Sequence, residues 1–233
     1  MIEIRDLVAR YEAVTVLDGV DLAIPDGEFV VLTGPNGSGK TTLVRHCNAL
    51  ETPAEGSVRV DGVEASTDPV AARTAVGMVF QNPRDQFVAA TVGADVAFGP
   101  ENLGLPREEI DDRVATALEA VGMAGRDLDR VDALSGGEQA RVAIAGALAM
   151  EPSHLILDEP MTGLDAAGRR SVWTHLDRLH GPGTSIVVVT HDLRDVWSRA
   201  DRIVALADGE VVVDAPPESA REHLPEIDVR PPC

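Results

Sequence analysis

The segment Gly34-Pro35-Asn36-Gly37-Ser38-Gly39-Lys40-Thr41-Thr42 follows the short apolar run EFVVLT and precedes a stretch read as a helix from about Lys40 to Leu50. The spacing G-x-x-x-x-G-K-[ST] between a strand and a helix is the setting in which a glycine loop wraps phosphate. Glycines let successive N–H groups turn toward an anion, and the helix that follows presents its partially positive N-terminus to the same place. Lys40 is therefore predicted to reach the β- and γ-phosphates of a nucleoside triphosphate, and Thr41 to hold Mg²⁺. Lys40 is also the only lysine among 20 basic residues. A compact ammonium on a flexible stem enters a narrow backbone nest that a planar guanidinium does not fit. Arginine replaces lysine everywhere else, which makes an incidental lysine in a glycine-rich turn the poorer explanation.

The rest of the chain supplies a frame for this loop. IEIRDLVARY and VTVLDGVDLAI read as strands, and SVRVDGVEA as a hairpin turning at Asp61-Gly62. VGMVF, HLILDE, TSIVVVT, RIVALA and EVVV are further strands, with helices expected after HLILDE and TSIVVVT. Such alternation predicts an α/β protein with a mostly parallel core sheet. Residues 82–150 change character: Ile110, Val114, Leu118 and Val121 recur at helical spacing, and GEQARVAIAGALAM forms a second, more apolar helix. We expect one domain over 1–233, in which 1–81 and 151–220 form the core with an antiparallel β subdomain. A helical subdomain spans about 82–150, and 221–233 is a short Pro-rich tail. Cys47 and Cys233 are expected to be unpaired thiols. The N-terminal decapeptide lacks the apolar core of a signal peptide, and no apolar run approaches ~18 residues.

Asp158 and Glu159 end the apolar strand HLILDE, where ligands of open α/β sheets gather. Asp158 suits a Mg²⁺-supporting carboxylate and Glu159 the base that polarises an attacking water. Farther along, Ser135-Gly136-Gly137-Glu138 opens a helix and offers a second anion-facing N-terminus. One triphosphate already has its loop, so a second set needs a different explanation.

Taken together these motifs resemble the ATP-binding-cassette family of phosphate-loop NTPases over nearly the whole chain. The resemblance implies an ATPase, with ATP and Mg²⁺ as cofactors, working as a head-to-tail dimer of identical or paralogous subunits. In that arrangement Ser135, Gly136, Gly137 and Glu138 of one copy close over ATP held by the loop of the other. It further implies that Tyr11 stacks on adenine and that Gln81 contacts Mg²⁺ and water. Asp165 would cross the dimer interface, and His191 would touch the γ-phosphate. A small-molecule kinase would leave Leu134 to Gly137 and His191 without a role. A cassette ATPase of DNA repair or translation would call for a coiled-coil insertion or a second cassette.

Residues 81–106, QNPRDQFVAATVGADVAFGPENLGLP, resemble the energy-coupling-factor branch of the family at Gln81-Asn82-Pro83, Asp85-Gln86, Thr91-Val92, Asp95 to Pro100 and Asn102-Leu103. Members of that branch import vitamins or cobalt and nickel ions. This implies a transmembrane scaffold subunit, a membrane substrate-binding subunit, and a peripheral place for the ATPase on the cytoplasmic face. A conventional importer with a periplasmic-type binding protein is the alternative. In place of the aliphatic residue and Phe that often follow the second Gln, Phe87 comes directly.

With 39 acidic against 20 basic residues the formal charge is −19, which argues against nucleic acid as a partner. Codon bias toward Arg explains the missing lysines but not the acid excess. A salt-rich cytoplasm, which screens self-repulsion, explains both. The thermal midpoint is expected to rise from dilute to molar KCl; equal stability in the two would refute a halophilic origin.

Overall fold

The computed structural model describes residues 1–180 and 183–232. Strands β1 (Ile2–Tyr11), β2 (Val14–Ile24), β4 (Glu55–Val60) and β5 (Val63–Glu64) form an antiparallel sheet in the order β2-β1-β4-β5. The second sheet runs β10-β9-β3-β8-β7-β6, from β3 (Phe29–Thr33), β6 (Val76–Val79), β7 (His154–Asp158), β8 (Ser185–Val189), β9 (Arg202–Ala207) and β10 (Glu210–Ala215). Its first five members in sequence are mutually parallel along the order, and only β10 runs antiparallel at the edge.

Every residue of β3, β7 and β8 is buried, as their unbroken apolar runs require of strands covered on both faces. The pleat sends alternate side chains into different cores. Phe29 and Val31, Leu155 and Leu157, Ile186 and Val188 join a core shared with α3 (Val92–Asn102), α4 (Arg107–Ala120), α5 (Gly136–Ala149) and α6 (Ala166–His180). Val30, Leu32, Ile156, Val187 and Val189 join a second core with the antiparallel sheet and α1 (Lys40–Cys47). The parallel sheet is thus a wall with α3 to α6 on one side and the small sheet with α1 on the other.

Three details depart from the sequence reading, and the tail adds a fourth finding. Helix α1 stops at Cys47 rather than about Leu50, because Ala49 takes a left-handed backbone (φ 54°) and the amides of Leu50 and Glu51 fold back onto the Arg45 carbonyl. No regular helix stands between β8 and β9: 191–200 form a bend and turns. There the Asp192 amide donates to Thr190 Oγ1 and the Arg194 amide to Asp192 Oδ1, offering the backbone an alternative to a helical ladder. A helix the sequence reading did not anticipate, α2 (Pro69–Ala75), starts at the Asp68 cap with Pro69 in its first turn. The Pro-rich tail is structured. Pro217–His223 form α7, a 3₁₀ turn follows over Leu224–Ile227, and Ala220, Leu224 and Val229 enter the helix-side core.

Cys47 is free and buried, and burial pushes its thiol up to about 12; Cys233 lies outside the described residues. No described helix is long and apolar enough to cross a membrane. Leu224 is fully buried, so Leu224→Ala is expected to cost about 2–5 kcal/mol in denaturant unfolding. A loss under about 0.5 kcal/mol would show the tail to be dispensable.

Candidate nucleotide site

The glycine loop is wedged between the two sheets. A Cβ at Gly34 would stand 2.1 Å from the Leu206 carbonyl oxygen of β9, and one at Gly39 2.6 Å from Leu17 Cδ2 of β2. Both glycines also hold positive φ, 137° and 98°, so side chains there are excluded twice over. Gly39 caps α1 without a side-chain hydrogen bond, leaving the first-turn amides to face outward. Lys40 Nζ curls back over the loop and donates to the carbonyls of Gly34 (3.0 Å) and Pro35 (2.7 Å) and to Ser38 Oγ (3.3 Å).

Across from the loop, β7 delivers Asp158 and Glu159. Asp158 is buried, and Thr41 donates its hydroxyl to Asp158 Oδ2 at 2.8 Å. Burial raises the Asp158 carboxyl above its usual range, opposed by the Thr41 bond and assisted by the nearby Glu159 charge. Burial likewise lowers the Lys40 ammonium, against the pull of Glu159 and Asp158. Glu159 sits in the left-handed region (φ 50°), and its amide donates to the Val189 carbonyl of the neighbouring strand. Its carboxylate accepts from Thr190 Oγ1 (3.0 Å) and the His191 amide (3.0 Å), and contacts His191 Nδ1 at 2.6 Å.

Between loop and strand end lies a cleft of about 270 Å³, lined by Asn36, Gly37, Gly39 to Thr42, Gln81, Asp158 and Glu159. Val16 and Val189 complete the wall; the sequence reading missed them, since apolar strand residues carry no chemical signal. His191 is brought to Glu159 but lines an adjoining hollow of about 250 Å³ with Thr190, Arg169 and Trp173. Tyr11 stands outside the cleft walls, half exposed, its phenol bonded to Glu51.

Ser135, Gly136, Gly137, Glu138 and Asp165 do not line the cleft. Ser135 caps α5: it and Glu138 form a reciprocal capping box, with the Ser135 amide and hydroxyl donating to Glu138 Oε2 at 2.8 and 2.7 Å. Arg126 bonds Glu138 from behind and, with Ser135, holds its carboxyl down at about 2. Nothing in the sequence spacing pointed to Arg126. A Cβ at Gly137 would meet the Gly163 carbonyl oxygen at 2.9 Å, so this helix end abuts the turn holding Asp165, which caps the Gly168 amide at 2.7 Å.

A strand, a glycine loop and a helix facing an acidic strand end define a phosphate-loop nucleotide-binding protein. The ABC transporter family model matches residues 17–162, and the chain belongs to that family of ATP-hydrolysing transport subunits. It is 63% identical over its full length, and that of the relative, to a Halobacterium salinarum protein provisionally named an ABC transporter ATP-binding protein. It is 48% identical to a Syntrophus aciditrophicus cobalt import ATP-binding protein CbiO, over 94% of this chain and 79% of that one. It is 44% identical to a Methanocaldococcus jannaschii energy-coupling factor transporter ATP-binding protein EcfA, over 97% and 83%. The fold superposes on cbiO1 of Clostridium perfringens, part of the ABC transporter complex cbiONQ (TM-score 0.82, 32% identity, 98% and 94% covered). It also superposes on a dimeric ATP-binding cassette in a post-hydrolysis state bound to ADP and Pi (TM-score 0.85, 30% identity, 93% and 98% covered).

The raised Asp158 carboxyl makes its charge a cost to folding of the nucleotide-free protein. At pH 7 Asp158→Asn is expected to raise the thermal midpoint without nucleotide. The gain should shrink as pH falls toward about 4, where the aspartate protonates in the unfolded chain too. A lower midpoint at pH 7 would contradict this account.

Proposed function

We propose that this chain is the ATP-hydrolysing subunit of an energy-coupling-factor-type importer for a vitamin or a transition-metal ion such as cobalt or nickel. Its place is the cytoplasmic face of the membrane, paired with a second cassette subunit. The observation that carries this reading is the segment 81–106, where the energy-coupling-factor resemblance coincides with a built groove. Gln86 ties the segment down, accepting from the Phe80 amide (2.9 Å) and donating to the Ala143 carbonyl (3.2 Å). Asp95 Oδ1 accepts from the Val88 and Ala89 amides (2.8 and 3.0 Å), and Arg84 donates to Gln139 at 3.1 Å. Arg84, Phe87, Val88, Arg130 and Gln139 border a groove of about 540 Å³. A cytoplasmic helix of a transmembrane scaffold subunit would dock there, and a membrane substrate-binding subunit would complete the complex.

The roles follow from the positions. Lys40 would exchange its loop carbonyls for β- and γ-phosphate oxygens, while the amides of Gly37 to Thr42 cradle the phosphates. The Thr41 hydroxyl, the buried Asp158 carboxylate and the Gln81 amide form an all-oxygen donor set, which suits Mg²⁺. Bound there, the ion would neutralise phosphate charge. Glu159 would orient the attacking water and accept its proton, with Thr190 and His191 holding its carboxylate and His191 turning to the γ-phosphate. Tyr11 would stack on adenine. Ser135, Gly136, Gly137 and Glu138 would meet the triphosphate of the partner copy, with Asp165 beside them. One copy's cleft makes no use of these five residues, which favours a two-copy site. Gln81 joins the cleft to the 82–90 segment, so nucleotide state reaches the groove through a few residues.

Glu159→Gln should bind ATP as the unaltered chain does and hold the dimer closed, with turnover lower by about 10²–10³ or more. Lys40→Arg should lose most nucleotide binding. Undiminished phosphate release by the first variant, or unchanged affinity in the second, would overturn these roles. Purification of the native membrane complex should yield two kinds of membrane subunit. A periplasmic-type binding protein in their place would overturn the importer type.

A further inference from the structure

The opposite end of the parallel sheet carries a second group of ionisable side chains. His154 opens β7 and is fully buried. Its Nδ1 meets the hydroxyl of Ser185, its pairing neighbour at the start of β8. That contact fixes the ring and aims Nε2 at two turns of the chain. Asp61 Oδ1 lies 2.9 Å from Nε2, and Asp26 Oδ1 lies 3.9 Å from it. One donor atom from each of the three residues lies within 4.8 Å of the others. All three supports are constrained. Asp61 and Gly62 take positive φ (50° and 81°) in the hairpin turn between β4 and β5, as a two-residue primed turn requires. Asp26 follows Pro25 and precedes Gly27, which has φ 73°. His154 is held in strand pairing on both sides.

A cation already sits at this spot. The Met1 amine bonds Asp26, lies 2.7 Å from Asp61 Oδ1, and stands 3.3 Å from His154 Nε2. Nε2 therefore faces a carboxylate oxygen and an ammonium at once, and no imidazole tautomer satisfies both. A protonated Nε2 donates to Asp61 but turns its N–H toward the ammonium. A bare Nε2 accepts from the ammonium but points its lone pair at Asp61. A divalent ion that takes the place of the Met1 ammonium and accepts lone pairs from all three groups would remove the conflict.

We propose that His154, Asp61 and Asp26 form a binding site for a divalent transition-metal ion of the zinc or cobalt(II) kind. One imidazole nitrogen with two carboxylate oxygens suits such ions, whereas Mg²⁺ and Ca²⁺ take oxygen-only shells. A tetrahedral ion with bonds of about 2.0–2.1 Å separates its ligand atoms by roughly 3.3 Å. The distances of 2.9 and 3.9 Å from Nε2 bracket that value, and all three ligand atoms lie within 4.8 Å of one another, so movement of the two exposed aspartate side chains would close the site. Ser185 acts as the outer partner that orients a ligating imidazole. The bound ion would tie the β2–β3 connection and the β4–β5 turn to the first residue of β7, clamping the sheets together at the end away from the nucleotide cleft.

The test is titration of the full chain with CoCl₂ in excess Mg²⁺, which competes for oxygen-only sites, read by visible absorption and by the thermal midpoint. The unaltered chain should take up one equivalent of Co²⁺ at a site giving a ligand-field band, and its midpoint should rise. Asp26→Asn and Asp61→Asn lie on exposed turns, where the fold tolerates change. Each should weaken that uptake at least about tenfold and lose the midpoint rise, and His154→Gln should abolish the band. Absence of the band in the unaltered chain, or equal Co²⁺ affinity in both aspartate variants, would overturn the site.

Discussion

The close approach of backbone to backbone at the glycine loop governs much else in this molecule. Gly34 lies against the Leu206 carbonyl of β9 and Gly39 against Leu17 of β2, so the loop is gripped by both sheets at once. Neither contact leaves room for a methyl group, and both positions need a backbone that other residues resist. The grip sets the shape of the loop from behind, on the side away from the cleft. The antiparallel sheet is thereby one wall of the candidate nucleotide site, through Val16.

A second constraint is the charge held in the cleft. Asp158 is buried next to Glu159, facing a lysine whose own ammonium is disfavoured by burial. The loop carbonyls and the Thr41 hydroxyl offset part of that cost. Left-handed Glu159 adds backbone strain at the same point. Such a site gives up stability in the free protein, as a site selected for ligand rather than for folding does.

Much of this was legible in the residues, for identifiable reasons. The fully buried strands announced themselves as unbroken apolar runs, and the loop glycines by a spacing that few other structures require. Asp158 and Glu159 stood out because charge at the end of an apolar strand is conspicuous. Legibility failed where the deciding contact was distant in sequence. Arg126 reaches Glu138 across twelve positions without a motif, and Leu224 joins the helix-side core from a tail whose prolines gave no sign of burial. After β8 the sequence suggested a helix, but Thr190 and Asp192 bond the local backbone and divert it into turns. The ring of His154 would pass unremarked in sequence, since only the fold brings it to Asp61 and Asp26.

The division of β3, β7 and β8 between two cores has a mechanical consequence. Sliding any of these strands by one position would carry its side chains into the wrong core, so the sheet has no low-energy shear along its own length. It behaves as an anvil. Any displacement generated at the phosphate end would travel through parts that lack this double anchoring, and the segment between Gln81 and Thr91 leads from the cleft to the groove. On the proposed function, the length and stiffness of that strap, rather than the strength of the sheet, would set how far one stroke could move an attached subunit.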